Sequence, residues 1–235
     1  MARIAESATI ALDLGDRVVA VTVRRSALAK RTAIRIDPLR GAVLVLPPRA
    51  SRADAERFLL AHRAWVAERL DRLPAAQSLA PGQRVDILGE PHVIRHCPAA
   101  RRGVWIEGGE LCVSGLAEQV PRRVTAFLRN QAKAIIARHV GELSARLGRR
   151  SGRLTIRDTR SRWGSCSSRG DLSFSWRLVM APEWVLAYVV AHELAHLVEM
   201  NHSPAFWNVV ASLSPDAARA RGWLKRHGAG LHLIG

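Results

Sequence analysis

The stretch VVAHELAHLVEMNHSPAFW, residues 189–207, sets His192, Glu193 and His196 in an apolar run and adds His202 just beyond it. HELAH is an HExxH motif. On a helix, positions i and i+4 are neighbours on one face, about 5–6 Å apart at Cβ. His192 and His196 can therefore reach one metal ion without distorting the backbone. Glu193 is rotated from His192 by about 100°, so it flanks such an ion and can take a proton from water there. A shuffled chain of this composition carries only about 0.016 such motifs. Catalytic zinc takes three protein ligands and leaves a fourth position open. His202 is the favoured third ligand. Asn201 tolerates a left-handed conformation where the helix must end, and Ser203-Pro204 starts a new helix at once. Glu199 is the competitor, although three ligands on successive turns of a straight helix do not converge.

The elements that must hold these residues can be read around them. Apolar VLAYVV precedes His192, and Pro182 sits in the first turn of the helix that carries it. Two further short helices start at Ser-Pro pairs, with Ser203 and Ser214 as caps. Upstream, Val124, Phe127, Leu128, Ile135, Ile136, Val140, Leu143 and Leu147 recur at helical intervals, and Gly148 stands where a helix commonly stops. RLTIRDT and GDLSFSWRLVM between them are strand-like. Toward the N-terminus, residues 18–46 alternate in a β-like way, with a hairpin turn at DPLRG, residues 37–41. Ser51 caps a single amphipathic helix carrying Phe58, Leu59, His62, Trp65, Val66 and Leu70. RVDILGEPHVIRH and GVWIEGGELCVSG predict two more hairpins, turned at "GE" and "GG". No internal repeat is visible. The texture changes near Pro121, which predicts a β-rich N-terminal region with one amphipathic helix at 1–118 and an α+β domain at 119–235.

Composition bounds the partners. The 235 residues carry 36 Lys+Arg against 20 Asp+Glu, a net +16. Such an excess attracts polyanions, so nucleic acid is a possible partner. The arginines are scattered, however, and no basic run alternates with aromatics. Cys97, Cys112 and Cys166 are odd in number and form no CxxC pair, which argues against disulfides and a cysteine-rich metal site. No apolar run approaches the ~20 residues needed to cross a bilayer. The N-terminus, broken by Glu6 and Asp13, lacks a secretory signal, and a cytoplasmic protein without membrane partners is expected.

The block SRWGSCSSRGDLSFSWRLVMAPEWVLAYVVAHELAHLVEMNHSPAFW, residues 161–207, resembles the signature of the YgjP-like metallopeptidases, relatives of the SprT and WLM zinc proteases. That resemblance implies a zincin-like catalytic domain, Zn2+ on His192, His196 and His202, and Glu193 as catalytic glutamate. Glu199 stands where metzincins have glycine, and no Met-turn is evident. In RWGSCS, Arg162 or Ser165 can stabilise an oxyanion beside a strand that holds extended peptide. Trp163 is read as packing on the helix and Gly164 as permitting close backbone approach. Tyr188, one turn before His192, is read as core. The expected function is zinc-dependent hydrolysis of a protein or peptide substrate. The alternatives are a protease recruited by nucleic acid to DNA-bound proteins, as in the SprT and WLM groups, and a basic binding module with a structural zinc.

Overall fold

Alternating buried and exposed side chains build the first sheet. The computed structural model of the chain describes residues 8–37, 40–73, 77–159 and 162–235. Strands β1 (Ala8–Asp13), β2 (Val18–Arg25), β3 (Ala33–Asp37) and β4 (Gly41–Leu46) lie in the order β1-β2-β4-β3. The outer pairs are antiparallel and the central β2/β4 pair is parallel. β1 was not expected from the sequence, because its pattern rests on Ile10 and Leu12 alone. The expected β3–β4 pairing forms, but Pro38 and Leu39 of its turn lie outside the described residues.

Ser51 caps α1 (Arg52–Ala61) through a reciprocal capping box with Asp54. The single helix expected there is two, because the chain breaks at His62 before α2 (Arg63–Asp71). The backbone N–H of His62 turns to Leu59 O at 3.1 Å, while its own ring Nδ1 meets Phe58 O at 2.8 Å. The side chain thus takes the carbonyl that an unbroken helix would give to the backbone. Ile10, Val21, Leu44, Leu59 and Val66 share the core of this unit, Met1–Ala75.

A second compact unit spans Ala76–Gly235. It opens with β5 (Arg84–Ile87), β6 (Glu90–His96), β7 (Val104–Glu107) and β8 (Glu110–Val113), ordered β5-β6-β8-β7. Its pairings repeat those of the first sheet, antiparallel outside and parallel at the centre. This is a duplication of topology that no sequence similarity announces. The boundary expected near residue 118 falls inside this unit, where the sheet gives way to α3 (Val120–Leu147), which Gly148 ends in a left-handed conformation, φ 64°. The second hairpin turns at Gly108-Gly109 as expected, but the first turns at Leu88-Gly89, one residue earlier than "GE". Leu88, at φ 53°, is the only non-glycine residue with positive φ among the described residues. Its N–H donates to Val179 O at 2.7 Å, and a Cβ on Gly89 would lie 3.1 Å from Pro182. The hairpin tip is thereby seated against the segment that leads into the next helix.

The third sheet contains β9 (Leu154–Arg157), β10 (Gly164–Cys166) and β11 (Leu172–Ser175), in the order β10-β11-β9. Residues Trp176–Met180, expected to continue the strand, form a 3-10 turn instead. Helix α4 (Glu183–Ala195) follows, then α5 (Pro204–Leu213) and α6 (Ala217–Leu231). Ser203 caps α5 as expected, its Oγ accepting from Phe206 N at 3.3 Å. Ser214 does not cap α6; that helix begins after Asp216, which makes no side-chain cap. The architecture is α+β. No helix among the described residues is long and apolar enough to cross a membrane.

α4 is apolar all round, and Val185, Leu186, Val190, Ala191, Leu194 and Ala195 are fully buried. A helix of this kind must be enclosed, and it packs on α3, α5, α6 and β10. Glu183 opens it and is held by Arg138 and by His139 Nε2 (3.0 Å) of α3. Hydrogen bonding to Arg138 keeps that carboxyl below its usual range, and a negative charge suits a helix N-terminus.

A second anchor is Arg177, fully buried, whose guanidinium bonds Asp158 and donates to Ile234 O at 3.0 Å and Gly235 O at 3.3 Å. It joins the end of β9 to the C-terminal segment. Arg177→Met is expected to lower stability by about 3 kcal/mol, the low end for breaking a buried pair because Asp158 keeps partial access to water. Equilibrium urea unfolding followed by tryptophan fluorescence measures it.

Candidate metal centre

His192 lies one turn inside the end of α4, and His196 is its C-cap, still helical at φ −67° and ψ −13°. Beyond it the chain tightens: Leu197 N bonds Leu194 O at 2.9 Å and Val198 N bonds Ala195 O at 3.0 Å. The turn closes without a left-handed Asn201, since Leu88 alone has that conformation outside glycine among the described residues. The α5 cap then brings His202 back, with its Nε2 3.1 Å from His192 Nε2. One ligand atom from each of His192, His196 and His202 lies within 4.8 Å of the others. For zinc, bonds of ~2.0–2.1 Å to nitrogen put two tetrahedral ligands about 3.3–3.4 Å apart. The His192–His202 pair stands near that spacing, and the three side chains together could hold one metal ion.

Their chemistry fits as well. His196 Nδ1 faces Glu199 O at 3.1 Å, so it carries the donated proton and leaves the Nε2 lone pair free. Burial pushes His192 down to about 4, helped by the neighbouring imidazoles, and burial also lowers His196. Neutral imidazole is the form that binds metal. Phe206, fully buried, has its ring centre 4.9 Å from His192 and 4.6 Å from both His196 and His202. It is the ring on which all three imidazoles rest. Glu199 is not in the group: its backbone takes His196 and its Oε1 accepts from Asn201 N at 3.3 Å.

Glu193 lies beside the three histidines in a cleft of ≈ 330 Å³ that Arg162, Ser165, Cys166 and Met200 also line. Burial raises its carboxyl to about 7, against the pull of the Arg162 charge and of a hydrogen bond from the Cys166 backbone. A cation held by the histidines would bring it down again. β10 presses directly on this side chain. A Cβ at Gly164 would stand 2.6 Å from Glu193 Cγ and Oε1, so glycine is the residue this contact permits. Trp163 packs against α6 rather than the helix of the site: it stacks on His232 at 4.2 Å and abuts Gly228. Tyr188 is buried, its ring 6.0 Å from that of His192. Met200, exposed at the rim, had no sequence signal, because nothing in a lone methionine distinguishes a cleft wall from a surface turn.

The family model for the YgjP-like metallopeptidase domain matches residues 30–227. Among solved structures, the metallopeptidase zymogen abylysin of Pyrococcus abyssi is similar at 24% identity and a TM-score of 0.35, covering 39% of this chain and 90% of that one. The jannalysin zymogen of Methanocaldococcus jannaschii is similar at 21% identity and the same TM-score, covering 39% of this chain and 94% of that one. No curated protein matches.

Replacing His202 with Ala is expected to strip metal from the purified chain, whereas Glu199→Gln keeps it. Elemental analysis per mole of protein decides between them, and the opposite ranking would make Glu199 the ligand.

Proposed function

The chain belongs to the YgjP-like metallopeptidase family, and we propose that it hydrolyses peptide bonds at a zinc centre of His192, His196 and His202 with Glu193 as general base. The supporting observation is the placement of a buried carboxylate beside three converging imidazoles in one open cleft. A zinc ion there supplies Lewis acidity to the substrate carbonyl and acidifies water. Glu193 takes the water's proton and returns it to the leaving amine. Its burial keeps the carboxylate aimed and poorly hydrated, and Gly164 leaves it the room to stay there. β10 is an edge strand whose outer side lines the cleft, which suits an extended peptide laid along it. Arg162, at the cleft wall, is suited to offset negative charge that builds on the substrate oxygen.

A purely structural zinc is less well supported. Closed structural sites take four protein ligands, whereas among the described residues three side chains form this group and it opens on a cleft.

Glu193→Gln is expected to lower peptide hydrolysis by roughly 10²–10⁴-fold while bound zinc stays at the wild-type level; turnover that survives this substitution would remove Glu193 from the mechanism. Gly164→Ala tests the same carboxylate from the other side of the contact. It should cut hydrolysis at least about tenfold with metal content unchanged, because an added methyl forces Glu193 out of line.

A further inference from the structure

A second depression of ≈ 780 Å³ runs over the solvent face of the β9–β11–β10 sheet. The register explains its composition. Thr155 pairs with Ser173, and Ser173 with Ser165, so one row of hydroxyls crosses all three strands. Arg157, in β9, and Arg153, just before it, flank that row two residues to either side of Thr155, and both line the groove. Arg162 stands where this groove meets the metal cleft, and Arg162, Ser165 and Cys166 line both. The groove is continuous with the site of hydrolysis.

Little of its positive charge is tied up in ion pairs. Ten other arginines, Arg17, Arg95 and Arg138 among them, are engaged in ion pairs. Arg153, Arg157 and Arg162 make none among the described residues. Among the described residues Asp171 is the one carboxylate on the groove wall, and its Oδ1 is taken by the Arg153 backbone N–H at 2.8 Å. Leu172 turns its side chain into the core, so among the described residues the groove has little to offer an apolar residue. It also has, among the described residues, no aromatic ring on which a nucleic-acid base could stack. Four residues of strand separate Arg153 from Arg157 by about 13 Å, the span between side chains i and i+4 of an extended peptide.

We propose that this groove binds an acidic segment of the protein substrate, with Arg153 and Arg157 pairing carboxylates spaced along an extended chain while the adjoining residues enter the metal cleft past Arg162. The assignment rests on the peptidase reading above. It makes the enzyme selective for peptides with Asp or Glu beside the cleaved bond.

The test reads binding rather than turnover, so it stands whether or not the wild type hydrolyses peptides. Dye-labelled octapeptides (Asp-Ala)4 and (Asn-Ala)4 are titrated by fluorescence anisotropy with the full-length, zinc-loaded chain carrying Glu193→Gln. The acidic peptide should bind at least about tenfold tighter, and its affinity should fall as salt rises. Adding Arg153→Gln and Arg157→Gln together should weaken it at least about tenfold, whereas Arg149→Gln with Arg150→Gln, which removes the same charge from another surface, should change it less than about twofold. Thermal melting of each variant shows that both pairs leave the fold intact. Equal affinity for the two peptides, or equal losses in the two double variants, overturns the proposal. So does an octathymidylate that binds tighter than (Asp-Ala)4 and is lost in the Arg153/Arg157 variant, since the groove would then be a nucleic-acid site.

Discussion

The constraint on which the second unit depends is the enclosure of α4. A helix with apolar side chains on every face is stable in water only if other elements cover it all, and here α3, α5, α6 and β10 do so. Enclosure has a chemical consequence. His192 and Glu193 are carried into the interior by the same helix that must be buried, so their charged forms are penalised and their protonation is shifted before any metal arrives. The polar groups stay accessible only because the helix ends at Ala195 and the chain turns back, leaving one end of the bundle open. A longer α4 would bury the site; a shorter one would lose His196.

The contact between Gly164 and Glu193 ties the sheet to that helix. A strand can approach a carboxylate this closely only where it has no side chain of its own. The contact fixes the distance between β10, the strand along which substrate would lie, and the group that would handle its protons. Phe206 does the corresponding work for the imidazoles, touching all three from the first turn of α5. Neither residue is polar, yet together they set where the polar atoms stand. The Ser203 cap belongs to the same device, since it fixes the start of α5 and therefore the return of His202.

How much of this was readable in the sequence follows from the range of each interaction. The grouping of His192, His196 and His202, the Ser51 and Ser203 caps and the Gly148 stop depend on residues a few positions apart, and they stand in the structure as the spacing suggests. Local signals misled where a side chain competed with the backbone or a turn had another solution. His62 breaks a helix that its apolar spacing favours, the turn before His202 needs no left-handed Asn201, and Ser214 ends α5 rather than opening α6. The repeated sheet topology was hidden for a different reason: strand pairing uses backbone groups common to every residue, so two sheets can share it with no residues in common. The groove of Arg153, Arg157 and Arg162 was invisible because its wall comes from alternate positions on three short strands whose order and register the sequence does not announce.

That alternation also explains how a short sheet can serve two surfaces. Leu154, Ile156, Leu172 and Phe174 point one way, into the hydrophobic core, and Gly164 and Cys166 of β10 lie in register with Phe174 and Leu172 on that same side. Thr155, Ser173 and Ser165 point the other way, among the arginines. Because side chains alternate with a period of two, the face that meets Glu193 and the face that meets solvent are fixed by one register. A slip of one residue would turn Ser165 against Glu193, where even a Cβ has no room, and would bring Phe174 out to water. Both penalties oppose the same error. The packing that secures the core therefore also secures the contact between Gly164 and Glu193 and the polarity of the groove, and neither surface can be altered at β10 without disturbing the other.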